Sequence, residues 1–315
     1  MINGNKYALR LGTRGSRLAM AQSNWVKERI EAKGLKVEIV PIKTLGDKIL
    51  DVPLSRVGGK GLFVKEIEEA LLRGDIDLAV HSMKDVPAEL PEGLGLVVFP
   101  KREDPRDALI SRGDLNIGDL PKGARVGTSS LRRSAQLLNL RNDLSIVSLR
   151  GNVDTRLRRL RDGGLDAIVL ACAGLRRLGY ADIISYGLEW EYFLPAAGQG
   201  ALGLEAREDD GPTIEAIAFL NDSTTELVVR AERAFLKELE GGCQVPIACH
   251  AELDGDLIRI AGMVSELDGS RVVRDQIKAG KSSPEAGGVE LAERLKAMGA
   301  LEILRRIYAL DQTRP

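Results

Sequence analysis

Apolar residues recur along this chain in short blocks that switch between two periods. Tyr7 to Gly12 and Val37 to Ile42 read as strands, and Ser16 to Lys33 between them reads as a helix closed by Gly34. Phe63 to Arg73 is an amphipathic helix closed by Gly74, Leu78 to Val80 a short buried strand, and Leu94 to Phe99 another strand. Lys101 to Arg106 is a charged, proline-containing crossing with the character of a hinge. A second unit repeats the alternation. Strands are expected at Ala108 to Ser111, Arg125 to Gly127, Ile146 to Leu149 and Ala167 to Leu170, with helices at Ser130 to Leu140 and Val153 to Arg161. Such alternation predicts α/β sheets with helices on both faces. Pro195 to Gly200 is a second linker-like stretch. Ala201 to Glu205 is a candidate strand returning to an earlier sheet, a choice the sequence leaves open.

After Asn221 the pattern changes. A helix to about Glu240 is followed by strand-like runs at Ala248 to Leu253, Leu257 to Val264 and Arg271 to Ala279. Helices then fill Pro284 to Met298 and Leu301 to Tyr308. Strands in succession, then helices, predict an antiparallel α+β domain.

Composition narrows the function classes. The 315 residues are enough for two or three domains. Lys plus Arg is 45 against 46 for Asp plus Glu, and aromatics are 4%, which argues against nucleic acid as a partner. Three cysteines (Cys172, Cys243 and Cys249) in no spaced framework point to a reducing compartment. Two histidines, His81 and His250, are too few for a typical metal site, and none is expected. Met1 to Arg10 lacks a signal-peptide apolar core, and the longest apolar run, near Ala167 to Leu175, is too short to span a bilayer. A cytoplasmic protein that does not engage membranes is expected.

Chemistry concentrates in loops that follow strands. Thr13-Arg14-Gly15-Ser16 and Thr128-Ser129-Ser130-Leu131-Arg132-Arg133 occupy equivalent places, each opening a helix. Helix N-termini, small hydroxyls and arginine forks make anion sites, although a Ser or Thr there is often only an N-cap. Leu149 to Arg156 adds Arg150 and Arg156, and Arg176 and Arg177 follow another strand. Arginines gathered at strand carboxyl ends point to a ligand cleft between domains. Val57-Gly58-Gly59-Lys60-Gly61 has the composition of a phosphate loop but not its spacing, so a mobile flap fits better than ATP binding. Asp85, in His81-Ser82-Met83-Lys84-Asp85-Val86-Pro87, either pairs locally with Lys84 or faces the cleft to stabilise a cation. Cys243 lies in Gly241-Gly242-Cys243-Gln244-Val245-Pro246, a tight turn, and is either an inert loop thiol or an accessible covalent attachment point.

Together these segments resemble the porphobilinogen deaminase (hydroxymethylbilane synthase) family of tetrapyrrole and heme biosynthesis. The resemblance runs from about Leu9 to the helix after Pro284. It rests on Thr-Arg-x-Ser-x-Leu-Ala (13–19), Val-Gly-Gly-Lys-Gly-Leu-Phe (57–63), His-Ser-Met-Lys-Asp-Val-Pro (81–87) and Arg-Glu-Asp-Pro-Arg-Asp (102–107). It rests equally on Gly-Thr-Ser-Ser-Leu-Arg-Arg (127–133), Leu-Arg-Gly-Asn-Val-Asp-Thr-Arg (149–156), Pro-Ala-x-Gly-Gln-Gly (195–200) and Gly-Gly-Cys-x-Val-Pro (241–246). Arg17 and Arg56, within or beside these motifs, are assigned no role.

The resemblance implies two periplasmic-binding-protein-like α/β domains with an interdomain cleft, plus a smaller C-terminal α+β domain with a three-stranded antiparallel sheet. It places the first domain at 1–100 plus about 200–220, the second at 101–199 and the third at 221–315. It implies that Cys243 holds a dipyrromethane cofactor through a thioether. Four porphobilinogens are then condensed on that primer, each losing ammonia, and hydrolysis releases hydroxymethylbilane. It implies a catalytic Asp85 that stabilises positive charge on the pyrrole. Cofactor contacts are expected from Lys84, Asp85, Thr128, Ser129, Ser130, Arg132, Arg133, Arg150, Gly151 and Gln199, and substrate contacts from Arg14, Ser16, Lys60, Phe63, Arg150, Arg156 and Arg177. A monomer is expected. The competing reading is a non-enzymatic two-lobed receptor or regulator for a small anion; it leaves Cys243 without a purpose, and no helix-turn-helix segment accompanies it.

Overall fold

The computed structural model of the protein describes residues 8–45, 64–241 and 245–312. The described residues divide into two compact units: residues 8–45, 64–102 and 201–226 form one, and residues 103–200, 227–241 and 245–312 form the other.

The first unit is built on a five-stranded sheet. Its strands are β1 (Leu9–Arg14), β2 (Val37–Ile42), β3 (Leu78–Ser82), β4 (Leu94–Val98) and the late strand β10 (Leu202–Arg207), in the order β2-β1-β3-β10-β4. β1 runs parallel to β2 and β3, whereas β10 is antiparallel to both of its neighbours. Period-two alternation sends side chains to opposite faces. Leu78 and Val80 pack into one cluster with Val26 and Ile30 of helix α1 (Arg17–Glu31). Ala79 packs on the other face with Ile67 and Leu71 of α2 (Lys65–Leu72). The segment Ala201 to Glu205 therefore does return to the first sheet, where β10 bridges β3 and β4.

The second unit holds two sheets. Strands β5 (Asp107–Ser111), β6 (Arg125–Gly127), β7 (Ser145–Val147), β8 (Ala167–Ala171) and β9 (Tyr186–Leu188) lie in the order β7-β6-β8-β5-β9. Here β6 is parallel to β7 and β8, and β5 is antiparallel to its neighbours β8 and β9. This is the arrangement of the first sheet over again. Leu137 of α3 (Leu131–Leu140) packs with Leu109 and Val169, and Leu157 and Leu160 of α4 (Val153–Arg161) pack with Ile110 and Ile168 on the opposite face.

The third sheet is β11 (Ile247–Asp254), β12 (Leu257–Ser265) and β13 (Val272–Gly280), a fully antiparallel meander. Its core takes Phe235 from the helix Ser223–Glu238, Leu291 and Leu295 from Pro284–Ala297, and Ile303 from Ala300–Gln312. The fold class is therefore α/β, two mixed five-stranded sheets with a smaller α+β sheet following them. Among the described strands and α-helices, three short ones have no counterpart among the expected elements: α5 (Cys172–Arg177), β9 and the helix Gly211–Ile217. Each is seven residues or fewer, too short for periodicity to register.

Candidate active site

In the first unit, the parallel pairing of β1 with β3 brings their carboxyl ends to one edge. Arg14 ends β1, and Ser16 caps α1, accepting from the Ala19 amide at 3.3 Å. β3 ends at Ser82 and runs into a single 3₁₀ turn, Met83–Asp85, closed by Val86 N on Met83 O at 3.3 Å. Lys84 and Asp85 sit on this turn, half-buried.

Behind the turn lies a group of buried polar side chains. His81 Nε2 is 2.8 Å from Glu205 Oε2, with side-chain exposures of 4% and 1%. The geometry is not aligned as a hydrogen bond; both Glu205 oxygens and Glu68 Oε1 are buried without an aligned partner among the described residues. Burial pushes the Glu68 carboxyl up to about 7, the Glu205 charge adds to the rise, and His81 opposes it.

The second unit presents the same edge in a different charge state. Parallel β6, β7 and β8 bring three loops together, carrying Thr128 to Arg133, Arg150 to Arg156 and Cys172 to Arg177. Because β5 is antiparallel, its first residue, Asp107, opposes Ala171 and lies at that same edge. Asp107 is fully buried and accepts from Arg132 Nη1 at 2.6 Å, from Arg133 Nη2 at 2.6 Å and Nε at 2.9 Å, and from Gln199 Nε2 at 3.0 Å. Burial alone would raise its pKa; Arg132 and Arg133 outweigh burial and hold it well below the usual carboxylate range. Arg132 also donates to Leu194 O at 2.7 Å, and Arg133 to Val169 O at 3.1 Å.

The loop hydroxyls are structural as well. Ser130 caps α3, accepting from Arg133 N at 3.4 Å, and Thr128 Oγ1 accepts from Ser130 N at 3.2 Å. Ser129 Oγ donates to Leu149 O at 2.9 Å, tying the β6 loop to the β7 loop. Gly151, at φ 101°, lets its carbonyl receive Arg156 Nε at 2.8 Å. Burial, followed by the neighbouring charges of Arg133 and Arg150, pulls Arg156 down to about 10. Arg133, Arg150 and Arg156 thus form one cationic group. Arg177 donates to Gly200 O at 2.7 Å; burial lowers it to about 10, against the pull of Glu103. Gly200 itself adopts φ 87°, and a Cβ there would collide with Glu103 O, so the crossing into β10 demands glycine.

Of the expected site residues, then, Arg14, Ser16, Lys84 and Asp85 share one edge in the first unit. Thr128, Ser129, Ser130, Arg132, Arg133, Arg150, Gly151, Arg156, Arg177 and Gln199 gather in the second. Lys60, Phe63 and Cys243 lie outside the described residues. The described cysteines are both buried: Cys172 has its thiol pushed up to about 12 by burial first and then by Asp104, and Cys249 is fully enclosed in β11. Neither suits nucleophilic attachment.

Sequence reading missed the acids that organise both edges. Asp107 falls between the charged crossing that ends at Arg106 and the strand expected from Ala108, and Glu205 ends a run read only for its strand character. The available signal was a carboxylate inside an apolar strand, which needs a buried partner.

The family profile described as "Porphobilinogen deaminase, dipyromethane cofactor binding domain" matches residues 9–215, and that described as "Porphobilinogen deaminase, C-terminal domain" matches residues 226–297. Proteins named porphobilinogen deaminase from Trichlorobacter lovleyi and Geobacter metallireducens are each 58% identical, covering 95% and 97% of this chain and 96% of their own lengths. One from Geobacter sulfurreducens is 56% identical over 97% of this chain and 96% of its own length. Among solved structures, a TRAP periplasmic solute binding protein from Desulfovibrio salexigens shares 14% identity, with 69% of this chain and 73% of that chain covered and a TM-score of 0.43. On its sequence and on both matching profiles, the chain belongs to the porphobilinogen deaminase family.

Proposed function

We propose that this protein condenses four porphobilinogen molecules head to tail, with loss of ammonia, on a dipyrromethane primer held by Cys243, and releases hydroxymethylbilane by hydrolysis. The observation that carries the reading is the gathering of Arg133, Arg150, Arg156 and Arg177 just beyond the carboxyl ends of parallel β6, β7 and β8, where burial and the neighbouring arginines disfavour the charged form of Arg156. Like charges collected on scaffolded loops favour an anionic ligand. Acetate and propionate side chains of linked pyrroles are such ligands, and arginine forks bind carboxylates in bidentate fashion. The residues present therefore fit the cofactor. When bound, dipyrromethane supplies the pyrrole end to which the first substrate is joined.

The chain's own residues divide the work. Arg150, Arg156 and Arg177 bind carboxylates, with Arg14 and Ser16 doing the same in the first unit. Lys84 and the amides opening α3 add donors. Arg132, Arg133 and Gln199 converge on Asp107, so that acid fixes the orientation of the arginines on the first turn of α3. Asp85 accepts from pyrrole N–H groups and stabilises the positive charge left on the substrate pyrrole as ammonia departs. Cys243 is the attachment point; burial of Cys172 and Cys249 supports that choice. No helix among the described residues is long and apolar enough to cross a membrane.

Intact mass of the purified protein and of Cys243→Ser tests the reading. An adduct of two deaminated porphobilinogen units, present in the first and absent in the second, is expected. Protein that stays bare after incubation with porphobilinogen would move the assignment to a small-anion receptor.

A further inference from the structure

The turn that carries Lys84 and Asp85 hangs from β3, and β3 is held at that end by β10 alone on one side. Ser82 pairs with Leu202 and His81 with Gly203, and Met83 N donates to Ala201 O at 3.1 Å. Two side-chain contacts fasten this end of the ladder. One is apolar: the buried Met83 occupies the space over Gly203, where a Cβ would collide with the Met83 sulfur and lie 2.8 Å from Leu96 Cδ2. The other is polar: His81 meets Glu205 at 2.8 Å, diagonally across the same face, with Glu68 of α2 beside them.

A pair with 4% and 1% side-chain exposure and no aligned hydrogen bond on either carboxylate oxygen is an expensive way to hold two strands together. An apolar pair would hold the strands as well, so stability alone gives no reason for it. What the polar pair adds is register. Sliding β10 by one residue would send Glu205 to the other face and strand His81 without it. Register on β10 fixes where β3 ends, and with it the position of Asp85.

We propose that the His81–Glu205 contact is a positioning device for the known reaction, setting the Met83–Asp85 turn so that Asp85 meets the pyrrole nitrogens. This rests on the catalytic reading of Asp85. His81 and Glu205 touch neither substrate nor cofactor in this account; they act through the turn.

The test uses the full-length, cofactor-loaded enzyme. Misplacement of a catalytic group by about 1 Å can cost up to ~100-fold, so Glu205→Gln should lower kcat by roughly 10- to 100-fold. KM should stay within about threefold, since the carboxylate-binding arginines are untouched. In an Asp85→Asn background the same change should produce no further loss, because its effect passes through Asp85. Independently of activity, the Met83 amide should exchange hydrogen about tenfold faster in Glu205→Gln. If Glu205→Gln folds poorly, Gly203→Ala disturbs the same docking from the apolar side and should give the same kcat loss and the same non-additivity. Asp85→Asn at the wild-type rate would overturn the role of Asp85 and the inference with it. An inactive Asp85→Asn beside a Glu205→Gln enzyme of wild-type kcat, or additive losses in the double variant, would overturn the inference alone.

Discussion

The two α/β sheets share a strand order, yet they treat a buried acid in opposite ways. In each, the antiparallel strand brings a fully buried carboxylate to the sheet: Asp107 on β5, Glu205 on β10. Asp107 receives two arginines and an amide and is held firmly ionised. Glu205 faces one imidazole at 2.8 Å, not aligned as a hydrogen bond, and shares its surroundings with a second carboxyl, Glu68, that burial pushes up to about 7. One carboxylate is compensated by its donors and the other is short of them. The lesson is that equal topology does not imply equal electrostatics: the second edge gathers arginines around its buried acid, and the first buries its acid beside a single imidazole and a second carboxyl.

The largest effect should come from breaking the compensated network. Asp107→Ala leaves two buried guanidiniums without their carboxylate, and removing one partner of such a pair costs about 3–5 kcal/mol. A denaturant midpoint that hardly moves would mean that Arg132 and Arg133 do not depend on Asp107. Next, Arg156→Gln relieves repulsion in the free protein while removing a proposed contact to substrate carboxylates. Charge-assisted hydrogen bonds are worth about 1.5–3 kcal/mol, so KM for porphobilinogen should rise roughly 10- to 100-fold with no loss of thermal stability. A KM unchanged in this variant would take Arg156 out of the binding site.

The donor-poor edge makes a pH prediction. The folded Glu68 carboxyl is raised from 4.5 to about 7, so the folded state favours its protonated form. That contribution to stability is complete below the unfolded value and is lost as pH rises through 7. Glu68→Gln should therefore match wild type near pH 4 and exceed it near pH 8 by about 1–3 kcal/mol. A constant difference across that window would show that Glu68 does not titrate there. The smallest effect is shared by both edges. Ser16→Ala and Ser130→Ala each remove an N-cap contact and should each cost about 1 kcal/mol in chemical denaturation. Markedly unequal costs would mean that one of the two helices relies on its cap and the other does not.

Much of this was legible in the sequence because it is local. Val37 to Ile42, Arg125 to Gly127 and Val153 to Arg161 form with the bounds their patterns predict. The family motifs also marked the loops at the strand ends. What was not legible is non-local. Nothing in Leu202 to Arg207 announces that its neighbours are β3 and β4, more than a hundred residues earlier. Asp107 reads as one more charge in Arg-Glu-Asp-Pro-Arg-Asp until β8 pairing places it beside Arg132 and Arg133. Gln199, expected as a cofactor contact, has its amide nitrogen turned onto Pro105 O and Asp107, a preference that only the assembled crossing reveals.

The late arrival of β10 has a consequence for synthesis on the ribosome. β3 and β4 lack the strand that joins them until residue 207 has been made, and the second sheet is by then complete in sequence. The first sheet must therefore wait, with two strand edges open, while the second one has all its strands available to fold. A chain truncated at residue 199 and released from the ribosome should bury the second sheet and leave the first exposed to protease, so the sheet begun first is expected to mature after the one begun second.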